Sequence, residues 1–197
     1  MPDPPLTTMR SYLERISGPL PEADWLCLSE MLRRQEIPAA AFILRAGEVC
    51  RDIWYLEEGA VRFFEGKGER EHTTHFFLAP AFFTVYHSVL QGLPSEVFIR
   101  ATERCRLWRL PHDRLQAAYA QSHHLEHIGR LMAEQQFIAE YERRRLLLHT
   151  DALGRYEHLE RHQPEVLKRF SQKDIASYLG ITPVSLSRLR RSRQRSQ

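Results

Sequence analysis

The stretch SQKDIASYLGITPVSLSRLRR, residues 171–191, constrains the fold more than any other part of the chain. Ser171 is a favourable N-cap residue, and Asp174 follows in the first turn, where the helix dipole favours negative charge. Gly180 then supplies the left-handed conformation that ends many helices, and Thr182–Pro183 provides a second N-cap and a helix-opening proline. The pattern predicts two short helices joined by a tight turn.

Each of the two predicted helices has one apolar face. Ile175, Ala176 and Leu179 lie inward on the first helix, and Leu186 and Leu189 lie inward on the second. The rest of the second helix is then exposed where a recognition helix enters the major groove of DNA. The outward residues are Val184, Ser185, Ser187, Arg188 and Arg191. We therefore predict a DNA-binding helix-turn-helix, with a plain helical hairpin as the alternative.

Charge is concentrated at the same end of the chain. Residues 168–197 contain eight Lys or Arg and one Asp, so this segment has a net charge of +7. The whole chain has a net charge of +3, so the residues before it have a net charge of −4. Such an asymmetry is typical of a surface that binds phosphates, although a basic tail can also be plain solvated chain.

The first half of the chain changes from helical to β-type patterning. Residues 6–35 have helical periodicity, whereas residues 37–110 contain six short β-rich runs separated by glycine, proline and charged turns. Gly47 lies between two of these runs, and Gly59 lies where a tight turn needs positive φ. This pattern predicts a helical lead-in followed by a small antiparallel barrel or roll.

A long helix is predicted over residues 112–150, between a sensor-type domain at 1–111 and a DNA-binding domain at 151–197. Its apolar positions alternate by three and four, which is coiled-coil spacing. The predicted seam is Leu125, Ile128, Met132, Gln135, Ala139, Glu142 and Leu146. The spacing fits a dimer helix or a helix that packs on its own barrel, and both interpretations stay open from the residues alone.

No apolar run of about 18 residues or signal-peptide pattern occurs, so we expect a cytoplasmic protein without membrane contact. The three cysteines, Cys27, Cys50 and Cys105, lack metal-binding or redox spacing and are interpreted as packing residues. No cofactor is predicted.

Histidines raise a different hypothesis, a cupin-like metal protein that uses His72, His75 and His87. Haem ligation by the same residues is a further alternative. His123 and His127 are spaced i, i+4 on the long helix, but two ligands without a third make a weak metal site. We favour solvated histidines, because the metal hypothesis explains nothing of the basic C-terminal end.

The segment RYEHLERHQPEVLKRFSQKDIASYLGITPVSLSRLRR resembles the DNA-binding end of the Crp/Fnr family of bacterial transcription regulators, and in particular its subgroup common in Bacteroidetes. The resemblance covers about residue 20 to the end. It implies an α+β fold with an N-terminal β-roll of the cyclic-nucleotide-binding type, a central dimerisation helix and a C-terminal winged-helix-like helix-turn-helix domain. It also implies a homodimer on a pseudo-palindromic double-stranded operator, contact with RNA polymerase and no enzymatic activity.

Family members that bind cyclic nucleotides use a Gly-Glu pair for the ribose and an Arg-Ser or Arg-Thr pair for the phosphate. The resemblance places Thr84 and Val85 at the first pair and Ser95 and Glu96 at the second. A carboxylate in place of the bidentate cation opposes phosphate binding, so we predict that cAMP does not act on this chain. An unidentified apolar effector in a pocket bordered by Phe82, Phe83, Tyr86 and Phe98 is an open hypothesis; core filling by these rings is favoured.

The resemblance also assigns roles on the helix-turn-helix. Predicted base-reading residues are Pro183, Val184, Ser187 and Arg188. Predicted phosphate contacts are Ser171, Gln172, Lys173, Thr182, Ser185, Arg190, Arg191, Arg193 and Arg195. Of the positions that read bases in the best-known members only Arg188 keeps its residue type, and its guanidinium suits guanine O6 and N7. We therefore predict an operator that differs from the best-known consensus.

Overall fold

The computed structural model describes residues 4–66, 68 and 71–194, and at residues 4, 5, 193 and 194 it describes the backbone alone. The helices are α1 (Pro4–Ser17), α2 (Glu22–Met31), α3 (Tyr86–Gln91), α4 (His112–Tyr119), α5 (His123–His149), α6 (Ala152–His162), α7 (Pro164–Arg169), α8 (Gln172–Tyr178) and α9 (Pro183–Gln194). The strands are β1 (Arg33–Ile37), β2 (Phe42–Leu44), β3 (Asp52–Glu58), β4 (Ala60–Glu65), β5 (His72–Leu78), β6 (Ala81–Phe83), β7 (Phe98–Ala101) and β8 (Cys105–Pro111). The fold class is α+β, as predicted.

Two four-stranded antiparallel sheets form the predicted roll. Sheet A has the order β1-β8-β3-β6, and sheet B has the order β2-β7-β4-β5. Gly59 joins β3 to β4 at φ +104°, where a Cβ would lie 2.6 Å from Cys105 Sγ. Both the backbone angle and the close approach require glycine at this corner.

The helical lead-in ends earlier than predicted. Helix α2 ends at Met31, and Arg33–Ile37 forms the strand β1, which pairs in register with β8. Polar residues dominate Arg33–Ile37, so the sequence lacks a clear strand pattern. Pairing with β8, at the edge of sheet A, decides its conformation.

The helix predicted over 112–150 is divided into α4 and α5. Ser122 interrupts it with extended backbone, and its side chain accepts a hydrogen bond from Leu125 N at 3.1 Å. The cap starts a new helix that runs without a break for 27 residues. Gly129 permits the close crossing of the two helices, because a Cβ there would lie 2.2 Å from the Tyr119 hydroxyl.

Buried side chains form three clusters. The first lies between α1, α2, α4, α5 and sheet A and includes Met9, Trp25, Tyr55 and Leu125. The second fills the interior of the roll and includes Trp54, Phe63, Phe83 and Ile99. The third lies among α6–α9 and includes Leu159, Ile175, Ala176 and Leu186. Ala60 of β4 belongs to the third cluster, so the C-terminal helices pack directly on the roll.

The described part of the C-terminal domain, residues 151–194, contains helices α6–α9 and no strand. The winged-helix-like character of the predicted domain stays a prediction. Helices α7 and α8 occupy the stretch between α6 and the turn. The predicted interruption at Gln163–Pro164 is confirmed, because α7 begins at Pro164.

In the described residues, none of the helices is both long and apolar enough to span a bilayer.

Candidate nucleic-acid interface

Local hydrogen bonds build the α8–α9 unit as the sequence predicts. Ser171 Oγ accepts from Asp174 N at 3.1 Å and donates to the Asp174 carboxylate at 2.7 Å. At the other end, Gly180 N donates to Ser177 O and Ile181 N donates to Ala176 O, with Gly180 at φ +68°. This pair of bonds is a Schellman motif, which ends α8 and sets the direction of the following turn.

Helix α9 begins with the predicted cap. Ser185 N donates to Thr182 Oγ1 at 3.1 Å, and the hydroxyl groups of Thr182 and Ser185 lie 2.9 Å apart. Leu186 is fully buried against α8, whereas Val184 remains 61% exposed. The alternation leaves one face of α9 free for a ligand.

Among the described side chains, those predicted to contact DNA lie on the outer face of the α8–α9 unit. The exposed residues are Ser171, Gln172, Lys173, Thr182, Pro183, Val184, Ser185, Ser187, Arg188 and Arg191. Arg190 is half-buried. Arg195 and the side chain of Arg193 lie outside the described residues. Residues 175–192 contain no Asp or Glu, so no carboxylate on α9 up to Ser192 opposes a phosphate backbone.

Arg155 of α6 ties the helix pair to the end of α5. Its Nε donates to Leu179 O at 2.9 Å, and its Nη1 donates to Thr150 O at 2.6 Å. Both acceptors are terminal carbonyl groups, one after α8 and one after α5, which helices leave without internal partners. The orientation of the α8–α9 unit is thus linked to the C-terminal end of the long helix.

A buried ion-pair cluster joins α8 to the roll. Arg62 of β4 contacts Asp174 at 2.5 Å and Glu71 at 2.6 Å, and its Nε donates to Thr73 Oγ1 at 3.0 Å. The Arg62 side chain is only 3% exposed. Sequence analysis missed this cluster, because an arginine inside an apolar strand run is the only local signal of it.

Further contacts surround that cluster. Ser177 Oγ donates to Glu71 O at 3.0 Å and accepts from Thr73 N at 2.9 Å. The ring centroid of Phe76 on β5 lies 5.1 Å from that of Tyr178 on α8 and 4.1 Å from that of Phe170, which precedes α8. The first helix of the unit is therefore docked on sheet B through its polar and its apolar side chains.

Helix α5 also contacts sheet B and α8. His75 Nε2 lies 2.6 Å from Glu140, and this hydrogen bond lowers the pKa of the Glu140 carboxyl below its ordinary value. The Arg143 guanidinium lies 4.2 Å from the centre of the Tyr178 ring. One face of α5 is thus bound to its own protomer.

The predicted seam lies mainly along that same face. Leu125 and Ile128 are buried in the first core cluster, and Met132 packs against it. Gln135 and Ala139 line a cavity on the same side, while Glu142 is exposed and Leu146 is half-buried. The two N-terminal seam positions therefore pack within the protomer, because α1 and α4 cover them, and the role of the seam in a dimer stays a prediction.

Large exposed apolar side chains occupy another face of α5. They are Phe137, Ile138, Tyr141 and Leu148, and Phe137 is 73% exposed. At 100° per residue Phe137, Tyr141 and Leu148 lie roughly half a turn round the helix from Ala139, and Ile138 lies about 100° from it. We call Phe137, Ile138, Tyr141 and Leu148 the α5 stripe.

The predicted degenerate cassette flanks α3. Thr84 Oγ1 donates to Asp52 O at 2.8 Å, and Val85 immediately precedes α3. Ser95 is buried and donates to the carbonyl group two residues on, whereas Glu96 is exposed. Both hydroxyl groups are thus bonded to the chain's own backbone, and none of the four residues is a cation.

Three of the four predicted pocket residues lie together. Phe82, Phe83 and Tyr86 line one cavity, whereas Phe98 stacks on Phe64 with ring centroids 5.1 Å apart. The inclusion of Phe98 is wrong. It belongs to sheet B, and the alternation along β7 places it on the opposite face from the buried Ile99.

The histidine hypothesis gains no support from the geometry. Within the described chain, no three His, Cys, Asp or Glu side chains lie close enough to hold a metal ion. His72 and His87 are exposed, His75 contacts Glu140, and His123 lies 3.6 Å from Glu126.

Residues 34–122 match the family model of the cyclic nucleotide-binding domain, which spans the roll and α4. Over most of its length the chain has the fold of Crp/Fnr transcription regulators, so the predicted resemblance to that family is confirmed at the level of the fold. The assignment to the Bacteroidetes-type subgroup stays a prediction.

Solved structures show the similarity over most of the chain. The c-di-GMP responsive global regulator CLP of Xanthomonas campestris has a TM-score of 0.69 at 17% identity, over 89% of this chain and 93% of that one. FixK2 from Bradyrhizobium japonicum has a TM-score of 0.67 at 18% identity, over 84% and 85%. A putative Crp/Fnr family regulator from Eubacterium rectale has a TM-score of 0.65 at 18% identity, over 90% and 85%. No curated protein matches the sequence.

Proposed function

We propose that the chain is a homodimeric, sequence-specific DNA-binding transcription regulator. The observation that carries the proposal is α9, a capped helix with Leu186 buried beneath it and an exposed outer face with Arg188 and Arg191 but no carboxylate. A helix of this kind, after a tight turn, is suited to the major groove. The fold shared with Crp/Fnr regulators supports the same function, which requires no catalysis.

Two copies are expected to associate through the α5 stripe. Its four large side chains are 55–73% exposed in one protomer, which is unusual for aromatic and aliphatic residues on a single helix face. Two-fold packing of α5 against a second α5 would bury them and place the two α9 helices for consecutive major grooves, about 34 Å apart. The operator would then be pseudo-palindromic.

The proposed regulator does not need cAMP. Thr84 and Ser95 are bonded to backbone carbonyls, and the cassette offers no cation for a cyclic phosphate. Control by a different small molecule is the second candidate, which the cavity beside Phe82 favours. The protein would act in the cytoplasm on bacterial promoters, where it recruits or blocks RNA polymerase.

The proposal is tested by selecting bound duplexes from a random pool at about 150 mM salt, where nonspecific phosphate binding is weakened. Recovery of a two-fold symmetric motif is the expected result. The control is a triple variant, Arg188→Ala, Arg190→Ala and Arg191→Ala, which keeps the buried face of α9. If wild type and triple variant recover the same unspecific pool, α9 does not read DNA and the proposal fails.

A further inference from the structure

A cavity of about 320 Å³ lies where the roll meets the long helix. Tyr12 of α1, Phe82 of β6 and Tyr119 of α4 form one side, and α5 closes the other with residues from Leu125 to Ala139. The volume lies at the lower end of the range of small-molecule sites. The cavity can therefore hold a compact organic molecule.

The walls are predominantly apolar. They include Leu13, Leu28, Phe77, Leu110 and Met132. Among the lining residues in the described part of the chain there is no Asp, Glu, Lys, Arg or His. An ionised ligand would lose its hydration without gaining a counter-charge, so a neutral ligand is favoured.

Three phenol groups, the amides of Gln135 and Gln136 and the Thr84 hydroxyl give the cavity its polar character. Tyr12, Tyr86 and Tyr119 line the cavity, and each phenol hydroxyl can donate one hydrogen bond. Burial raises the pKa of Tyr86 and of Tyr119, so both remain protonated donors at neutral pH. A ligand with a carbonyl or ether oxygen would give such a donor its acceptor.

This cavity differs from the interior of the roll. The interior contains the second core cluster, in which Trp54 stacks on Phe83 with centroids 5.6 Å apart and Phe63 lies 4.9 Å from Phe77. The cavity lies at the edge strand β6, where Phe82 faces the first cluster and Phe83 the second. Phe77 and Phe83 also line the cavity, so it borders the filled interior, but most of its lining lies on α1, α2, α4 and α5.

We propose that this cavity binds a neutral, largely apolar small molecule that carries one hydrogen-bond acceptor. Seven lining residues, Leu125, Ile128, Gly129, Met132, Gln135, Gln136 and Ala139, lie on α5, so occupancy acts directly on the helix that also carries the α5 stripe. An effect of the bound molecule on the DNA-binding helices rests on the proposed function, whereas binding of the molecule to the cavity does not.

The probe for the test is prodan, a neutral naphthalene with a single ketone, whose emission responds to polarity and to hydrogen bonding. The anionic control is 1-anilinonaphthalene-8-sulfonate. We expect saturable binding of one prodan per protomer, about tenfold tighter than the sulfonate, which corresponds to ~1.4 kcal/mol. Equal or tighter binding of the sulfonate overturns the assignment of a neutral ligand.

Ala139→Phe places a ring at the cavity mouth, whereas Ala133→Phe adds the same ring at an exposed α5 position that does not line the cavity. We expect Ala139→Phe to weaken prodan binding about tenfold and Ala133→Phe to change it by less than about twofold. Unchanged binding to a folded Ala139→Phe variant, judged by circular dichroism, overturns the location.

A measurement on the unaltered protein locates the probe independently of folding effects. In NMR spectra, prodan should shift the methyl resonance of Met132, which lines the cavity. The methyl resonance of Met31, which does not line it, should stay unchanged. Tyr86→Phe and Tyr119→Phe should move the emission of bound prodan to the blue, because its ketone loses a donor. A shift at Met31 alone places the probe elsewhere and refutes the proposal. DNA selection is a separate measurement, so failure of the proposed function would be recognised independently of probe binding.

Discussion

The guanidinium group of Arg62 on β4 lies 2.5 Å from the carboxylate of Asp174 on α8, and both side chains are largely removed from water. Their exposed fractions are 3% and 12%. The Asp174 carboxylate also accepts a hydrogen bond from the Ser171 hydroxyl at the start of α8. One carboxylate thus belongs to the helix cap and to the joint between the roll and the α8–α9 unit.

Removal of the Arg62 guanidinium from the joint between β4 and α8 should destabilise the fold. We expect Arg62→Met to reduce the free energy of unfolding by about 3 kcal/mol, because Asp174 and Glu71 then remain buried without their partner. A double-mutant cycle with Asp174→Asn should give a coupling energy of about 1–3 kcal/mol by urea unfolding. Arg104→Met breaks an exposed pair with Glu36 and serves as the control with an almost unchanged midpoint. Additivity of Arg62→Met and Asp174→Asn would show that the contact has no energetic role.

Arg188 and Arg191 are both exposed on α9, but we expect different losses of DNA affinity from them. Arg188→Ala should cost ~1 to 3 kcal/mol on the selected operator and relax preference at one base per half-site. Arg191→Ala should weaken all sequences similarly and reduce the salt slope by about 1. Titrations of operator and random duplex at several salt concentrations distinguish the two. Equal losses on both duplexes for Arg188→Ala would refute its role in base reading.

Thr182 caps α9 through its bond from Ser185 N. Thr182→Ala should destabilise the domain by about 1 kcal/mol, whereas Thr182→Ser keeps the accepting oxygen and should cost only a few tenths. Thermal unfolding measures both variants. If the serine variant unfolds as early as the alanine variant, the methyl group and not the cap is responsible.

Glu140 makes the contact between α5 and sheet B dependent on pH. Its pKa is lowered from the ordinary value of 4.5, first by the hydrogen bond from His75. A depressed carboxyl pKa stabilises the fold above the unfolded value, and this contribution is lost as the pH falls through the folded value. Unfolding midpoints between about pH 5 and pH 3 should therefore fall less steeply in Glu140→Gln than in wild type. If the unfolding midpoints of Glu140→Gln and wild type fall equally steeply with pH, other carboxyl groups cause the destabilisation in acid.

The adjacent residues Ile138 and Ala139 distinguish two faces of α5. Ile138 belongs to the exposed α5 stripe, whereas Ala139 lies on the predicted seam and lines the cavity. We expect Ile138→Glu to weaken dimerisation by about 2 kcal/mol or more, because a carboxylate would be buried between two copies. Ala139→Glu should leave the dimer intact. Sedimentation equilibrium measures both, and dissociation by Ala139→Glu alone would restore the predicted seam.

Local chemistry explains why the α8–α9 unit could be predicted. The caps at Ser171 and Thr182 and the turn at Gly180 use hydrogen bonds between residues at most five apart in the chain. Such bonds depend on the residue types alone, so their pattern can be read without tertiary information. The break at Ser122 uses the same chemistry and was missed because helix-forming residues surround it.

Periodicity left the partner of the α5 face open. The N-terminal part of the seam predicted from Leu125 to Leu146 packs on α1 and α4, whereas Glu142 is exposed. A heptad pattern is the same for a covering domain and for a second helix. The α5 stripe is visible only once the first face has been assigned.

The sequence by itself determined the order of roll, long helix and capped helix pair, because residue types set turns, caps and alternation over short distances. Only the tertiary structure decided which face of α5 stays exposed, that Arg62 meets Asp174, and that a cavity opens beside Phe82. These features join residues distant in the chain, such as Arg62 and Asp174, and their chemistry depends on burial that no local pattern encodes.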